Sequence, residues 1–440
     1  MKRFFRNHII ILSFIIVLLL LFFLYGTDRV SAVDRNTYKS LKTFNEVLDM
    51  VEKNYVEEVK LQDLIQGAIS GMMKSLDPHS TFMTAEEYKE LEVETKGSFG
   101  GIGIEITLLK DVLTVVSPIE DTPAFQAGIK PGDQIIKIDG KSTKDITIQE
   151  AVKKLRGPKD TKVTITIYRE SLQKPKDFVL TRAIIKITSV KSRLMDDGIG
   201  YCRIASFQER TGDDLKKAVK EMDAKANHLK GIVLDLRNNP GGLLNQSIEV
   251  SDVFLKSGMI VSTRGRIKAM DTSSSAKNDG DEPTCPIVVL INEGSASASE
   301  IVAGALQDNG RALILGTRSF GKGSVQTLIP LEDGAALKLT TAKYYTPSGR
   351  SIQAEGIAPD ITLKYAKAAE ETAEGDESLR EQDLKGHIKS AKENGQKPPE
   401  ETAVPPKKEA EEAAFVQDNQ IKAAADILRS WHIFMKGKKN

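Results

Sequence analysis

Asn292-Glu293-Gly294-Ser295-Ala296-Ser297-Ala298-Ser299-Glu300 lies between two apolar runs, Ile287-Val288-Val289-Leu290-Ile291 and Ile301-Val302-Ala303-Gly304-Ala305-Leu306. The first run has no polar face, as a strand needs when helices cover both sides of its sheet. A strand, a tight turn of small residues and a helix follow one another here. That order exposes a side chain at a helix N-terminus, where backbone N–H groups and the dipole stabilise a developing anion. The same residues also read as a serine N-cap with a capping-box glutamate at Glu300. The segment alone does not choose between these readings.

Working outward, residues 37–97 carry helical periodicity, with Phe44, Val47, Leu48 and Val51 on one stripe and Ile65, Ala68, Ile69 and Met72 on another. Residues 98–185 are short β runs punctuated by Gly and Pro. Residues 186–365 alternate strands and helices, with a second apolar strand at Ile232-Val233-Leu234. Residues 366–418 are rich in Ala, Glu, Lys and Pro, a linker composition. Residues 419–440 form an amphipathic stretch through Ile421, Ala424, Ala425, Leu428, Trp431 and Ile433. The fold class is therefore multi-domain α/β, as 440 residues already imply.

At the start, Lys2, Arg3 and Arg6 precede an apolar run from Ile9 to Leu24. As a helix that run spans about 24 Å, short of the roughly 30 Å hydrocarbon core. Residues 1–32 are expected to be a membrane anchor or a signal peptide, with Val30-Ser31-Ala32 suiting cleavage. The flanking positive charges keep that end in the cytoplasm. The remainder is expected outside it, on the periplasmic or extracytoplasmic side of a bacterial membrane. The net charge of +1 argues against nucleic acid as a partner. Two cysteines, Cys202 and Cys285, exclude a disulfide scaffold or a four-cysteine metal site. Both lie in apolar, strand-like text and are expected as buried free thiols.

A serine nucleophile needs a base. Of five histidines, His79 and His228 alone lie outside the leader, linker and C-terminal end, and neither has an orienting acid nearby in sequence. A lysine can serve if its surroundings keep it neutral. Lys322 lies between two glycines in Ser319-Phe320-Gly321-Lys322-Gly323-Ser324-Val325-Gln326.

With these segments quoted, the sequence resembles the carboxyl-terminal processing peptidases, also called tail-specific proteases. Their Gly-[Ser/Thr]-Ala-Ser-Ala-Ser-Glu turn falls on residues 294–300. Their lysine segment, with a Gln four residues on, falls on Lys322 and Gln326. Leu76-Asp77-Pro78-His79-Ser80-Thr81-Phe82, Leu234-Asp235-Leu236-Arg237-Asn238-Asn239-Pro240-Gly241-Gly242, Tyr345-Thr346-Pro347-Ser348-Gly349-Arg350 and Gly356-Ile357-Ala358-Pro359-Asp360 also match. The likeness covers residues 37–365. It implies Ser297 as nucleophile, Lys322 as general base and Gln326 as the residue orienting the lysine. Gly242 and Ala298 N–H groups would form the oxyanion hole, with Gly241 the near alternative to Gly242. It implies no cofactor and no metal.

Residues 98–185 resemble a PDZ domain. Gly101, Ile102, Gly103 and Ile104 match the loop whose N–H groups hold a peptide C-terminus. A groove would then form against a helix over Ile148–Leu155. Arg156, just after it, is expected as a solvated side chain. Implied partners are protein or peptide substrates taken by their C-termini, and the cytoplasmic membrane through the N-terminal segment. Oligomeric state stays open. Two competing readings remain. A membrane-anchored PDZ adaptor with a dead peptidase core would show an eroded catalytic set, yet Ser297, Lys322 and Gln326 all stand. A nucleotide hydrolase would use Gly316 to Lys322 as a Walker A frame. Gly323 stands where that motif needs Ser or Thr, and the following text is β-like.

Overall fold

The computed structural model describes residues 35–109, 111–169, 171–172, 174–195, 197–366, 415 and 417–436. The expected leader over 1–32 and most of the linker over 366–418 lie outside those residues. Among the described residues, no helix is long and apolar enough to cross a membrane.

The chain divides into two units, Met1–Met72 and Met73–Asn440. In the first, Arg35–Asn54 is one helix, and most of a second, Leu61–Lys74, follows. The apolar stripes appear as the periodicity predicts, but Phe44, Val47, Ile65 and Met72 are exposed.

The second unit is built on a six-stranded sheet. Its strand order is Val190–Leu194, Ile199–Ile204, Gly231–Asp235, Ile287–Ile291, Leu313–Gly316 and Ile361–Thr362. The first pair is antiparallel and the others are parallel. Gly231–Asp235 and Ile287–Ile291 are buried at every position, which explains their unbroken apolar text. One face packs on helices Thr211–Ala226, Leu244–Asp252 and Ala298–Asp308 through Leu215, Val250 and Val302. The other face is covered by the C-terminal helix Asn419–Lys436 through Ile421, Ala424, Ala425 and Leu428. The amphipathic end of the chain is thus a layer of the core domain. Gly231 is needed there, because a Cβ would stand 2.9 Å from Leu428 Cδ2. Cys202 is buried and Cys285 half-buried, and both are free.

A second, antiparallel sheet pairs Ser324–Pro330 with Ala336–Tyr345, which also pairs with Met259–Gly265. Thr81–Met83 joins its edge, so the stretch read as wholly helical contributes a strand. A separate six-stranded sheet of Ile104–Leu109, Val112–Pro118, Gln134–Ile138, Lys141–Ser142, Lys162–Tyr168 and Lys176–Thr181 has its own core with Ile148–Leu155. The antiparallel pair Ser98–Gly101 and Ala183–Lys186 brackets it.

Leu428 is 1% exposed, so Leu428→Ala is expected to lower unfolding free energy by about 3 kcal/mol through a cavity on that sheet face. A urea melt reads this directly, and an unchanged midpoint would remove the helix from the core.

Candidate active site

Three loops converge at the C-terminal ends of adjacent parallel strands, where open α/β sheets carry their sites. Residues 236–242 follow Gly231–Asp235, 292–297 follow Ile287–Ile291, and 317–323 follow Leu313–Gly316. Hydrogen bonds lace the first two together. Asn238 N donates to Asn292 Oδ1 at 2.8 Å, Ser295 Oγ to Leu236 O at 2.8 Å, and Ala296 N to Asn239 O at 3.0 Å.

Ser297 is the N-cap of Ala298–Asp308, with φ 54° and ψ −112°. This conformation is rare for a residue with a side chain, and strain of this kind collects at functional turns. Gly241 packs against it: a Cβ there would lie 2.9 Å from Ser297 Cβ and 3.1 Å from Ala298 N. Gly241 N–H donates to Asn239 Oδ1 at 2.9 Å. Gly242 (φ 141°) is pressed on Phe207, whose carbonyl oxygen a Cβ would meet at 2.2 Å. Among the described residues, no protein acceptor takes the Gly242 or Ala298 N–H.

Glu300, treated in the sequence as a cap alone, joins the second loop to the third. It is fully buried. Oε2 accepts from Ser297 N at 2.8 Å and Lys322 N at 2.9 Å, and Oε1 from Gly321 N at 2.7 Å and Ser319 Oγ at 2.6 Å. The Gly321 and Lys322 N–H groups, which a Walker loop would offer to phosphate, are therefore occupied by this carboxylate. Ser324–Pro330 is a strand, not the helix such a loop precedes. Both findings set the nucleotide reading aside. Lys322 is half-buried. Gln326 Nε2 donates to Ser324 Oγ at 2.9 Å and Thr340 Oγ1 at 3.4 Å. His228 is 89% exposed beside Asp223, and the half-buried His79 donates its backbone N–H to Asp77 Oδ1.

Sequence reasoning also missed a buried ion pair at the foot of the first loop. Arg237 grips Asp235 through Nε at 2.9 Å and Nη2 at 2.7 Å, and reaches Asp418 and Gln420 at 2.9 and 2.7 Å. Burial opposes the charge on Asp235, but Arg237, Arg203 and Tyr201 hold its carboxyl below the usual range. Two charges at i and i+2 beside a buried strand signal such a pair. Asp418, across the linker, gives no such signal.

Gly101 to Ile104 run from one strand into the next. Gly101 ends one strand, Ile102 is 2% exposed, Gly103 has φ 78° and Ile104 opens the next strand. With Val152, Leu155 and Arg156 they line a groove cavity of about 70 Å³. Arg156 is stacked 4.6 Å over Phe99 rather than freely solvated.

Burial pushes the Glu300 pKa up to about 7, against the pull of its four donors, from 4.5 for the free side chain. Between those pH values the folded chain holds a proton that the unfolded chain has released. Stability therefore falls as pH rises from 4.5 to 7 and levels above, by at most roughly 3 kcal/mol from this group. Glu300→Gln, which cannot titrate, is expected to flatten that part of a stability–pH curve. Equal slopes in both proteins would assign the titration to another group.

The Peptidase family S41 model matches residues 198–363, a PDZ domain model residues 114–169, and the Activating protease CtpB N-terminal domain model residues 26–87. A carboxy-terminal-processing protease of Bartonella bacilliformis is 52% identical over 363 residues, covering 82% of this chain and 83% of its own. The "Probable CtpA-like serine protease" of Staphylococcus aureus is 37% identical over 355 residues, 80% of this chain and 70% of its own. Among solved structures, a photosystem II D1 C-terminal processing protease is 30% identical with a TM-score of 0.42, covering 73% of this chain and 92% of that one. The chain belongs to the carboxy-terminal-processing serine proteases of peptidase family S41, with a PDZ domain.

Proposed function

We propose that this protease is an exported endopeptidase that captures substrate C-termini in its PDZ groove and cuts through an acyl-enzyme on Ser297, with Lys322 as base. The observation that carries this reading is the strained Ser297 backbone at a helix start, joined through one carboxylate oxygen of Glu300 to the Lys322 N–H. In the proposed reaction Ser297 Oγ bonds to the scissile carbonyl carbon as its proton passes to the Lys322 amine. Gly242 and Ala298 N–H groups face the resulting oxyanion. The C–N bond breaks, the lysine proton goes to the leaving amine, and water then cleaves the ester by the reverse proton path. Gln326 orients the lysine amine with a neutral amide. The surface exposure of His228 counts against it as the base.

The loop Gly101–Ile104 is the proposed carboxylate site, and the strand beginning at Ile104 is the edge on which a peptide adds. Export, with residues 1–32 as anchor or cleaved signal at the cytoplasmic membrane, rests on the charged and apolar N-terminal text.

Ser297→Ala is expected to lower peptide hydrolysis on the order of 10³-fold or more with the fold intact. Lys322→Arg is expected to fail similarly, because a guanidinium does not deprotonate in proteins. Mass spectrometry of a protein substrate incubated with each variant reads both, and substantial cleavage by Lys322→Arg would remove Lys322 as the base.

Amidating a substrate's C-terminus is expected to weaken its binding to the protein by about 1–3 kcal/mol, as a charged acceptor is lost. Calorimetry with Ser297→Ala measures this without turnover, and equal affinities would exclude carboxylate capture.

A further inference from the structure

Asp77 lies in the turn before the strand Thr81–Met83 and is 5% exposed. Its Oδ1 accepts from His79 N and Ser80 N, each at 2.8 Å, and from Thr340 Oγ1 at 3.2 Å. Its Oδ2 accepts from Ser80 Oγ at 2.7 Å. Burial alone would raise this carboxyl, but the donors from Ser80, His79 and Thr340 hold it below the usual range, so it is ionised at neutral pH. Thr340 stands opposite Gln326 in the pairing of Ser324–Pro330 with Ala336–Tyr345.

The direction of these bonds is fixed by elementary valence. An ionised carboxylate only accepts, and a hydroxyl has one proton. The Thr340 proton therefore points at Asp77, and the oxygen's lone pairs face Gln326. A flipped amide would set Oε1 against those lone pairs, so Nε2 must stand there, 3.4 Å away. Ser324 Oγ can donate or accept and does not select by itself. With Nε2 held, Oε1 occupies the other branch of the amide as the acceptor. We infer that Asp77, acting through the Thr340 hydroxyl, is a positioning residue that fixes which way the Gln326 amide faces. This rests on the reading of Gln326 as the group that orients Lys322. The turn Leu76 to Ser80 thereby sets the polarity of a site formed more than two hundred residues later in the chain.

The test is steady-state kinetics of the full chain on a peptide substrate. Thr340→Val keeps the shape and removes the hydroxyl. It is expected to lower kcat about tenfold with KM unchanged, while Thr340→Ser restores kcat. In a Gln326→Ala background Thr340→Val is expected to cost nothing further, which a merely structural role would not produce. Full kcat in Thr340→Val, or an equal loss in the Gln326→Ala background, would overturn the inference alone. Full kcat in Gln326→Ala would overturn it together with the assigned role of Gln326. If Thr340→Val does not fold, Asp77→Asn asks the same question, since its amide can donate where the carboxylate only accepted. A comparable loss of kcat is expected there, and wild-type kcat would overturn the inference.

Discussion

One buried carboxyl group holds two of the three loops of the candidate site together. Glu300 is fully buried and takes its hydrogen bonds from Ser297 N, Lys322 N, Gly321 N and Ser319 Oγ. Each donor would be costly to leave unmatched in the interior. The carboxylate can be satisfied only when the turn after one strand and the loop after its neighbour are both in place. Asn239 plays the matching part on the other side, accepting from Ala296 N and Ser299 Oγ through its carbonyl. The three loops are therefore one polar network rather than three independent turns, and such a network rigidifies because every member is satisfied.

The same network explains the lysine loop. Its glycines serve backbone contacts: a Cβ on Gly323 would lie 2.3 Å from Gln353 N. Ser319 Oγ accepts from Ile357 N at 2.6 Å while donating to Glu300, so the Gly-Ile-Ala-Pro-Asp segment is the floor of that loop. Arg350 and Ser348 tie Asp308 at the far end of the helix that Ser297 opens. Motifs scattered through the sequence turn out to brace one helix from both ends.

Much of this was legible in the sequence for a physical reason. Strands covered on both faces must be apolar throughout, and tight approaches demand glycine, so Ile287–Ile291 and Asn238 to Gly242 announce themselves. The Glu300 reading was correct as a cap and too small, because a capping box predicts one local bond pair and not donors from a loop twenty residues on. The roles of Asp77 and Asp418 were not legible, since both act on partners far away in the chain. The apolar stripe through Phe44 and Val47 was legible as a helix face, but periodicity says nothing about what covers it.

The Arg237 clamp has a consequence for the timing of synthesis. Gln420 grips a residue 183 positions earlier, and the helix that carries it is a layer of the core. During translation the sheet emerges first, with one face bare and Arg237 lacking part of its anchorage. Domains fold as units once their residues have left the ribosome, and this one lacks a layer until the helix Asn419–Lys436 is out. Until that helix is out, the loop after Gly231–Asp235, which carries Gly241 and Gly242, lacks its anchorage at Asp418 and Gln420.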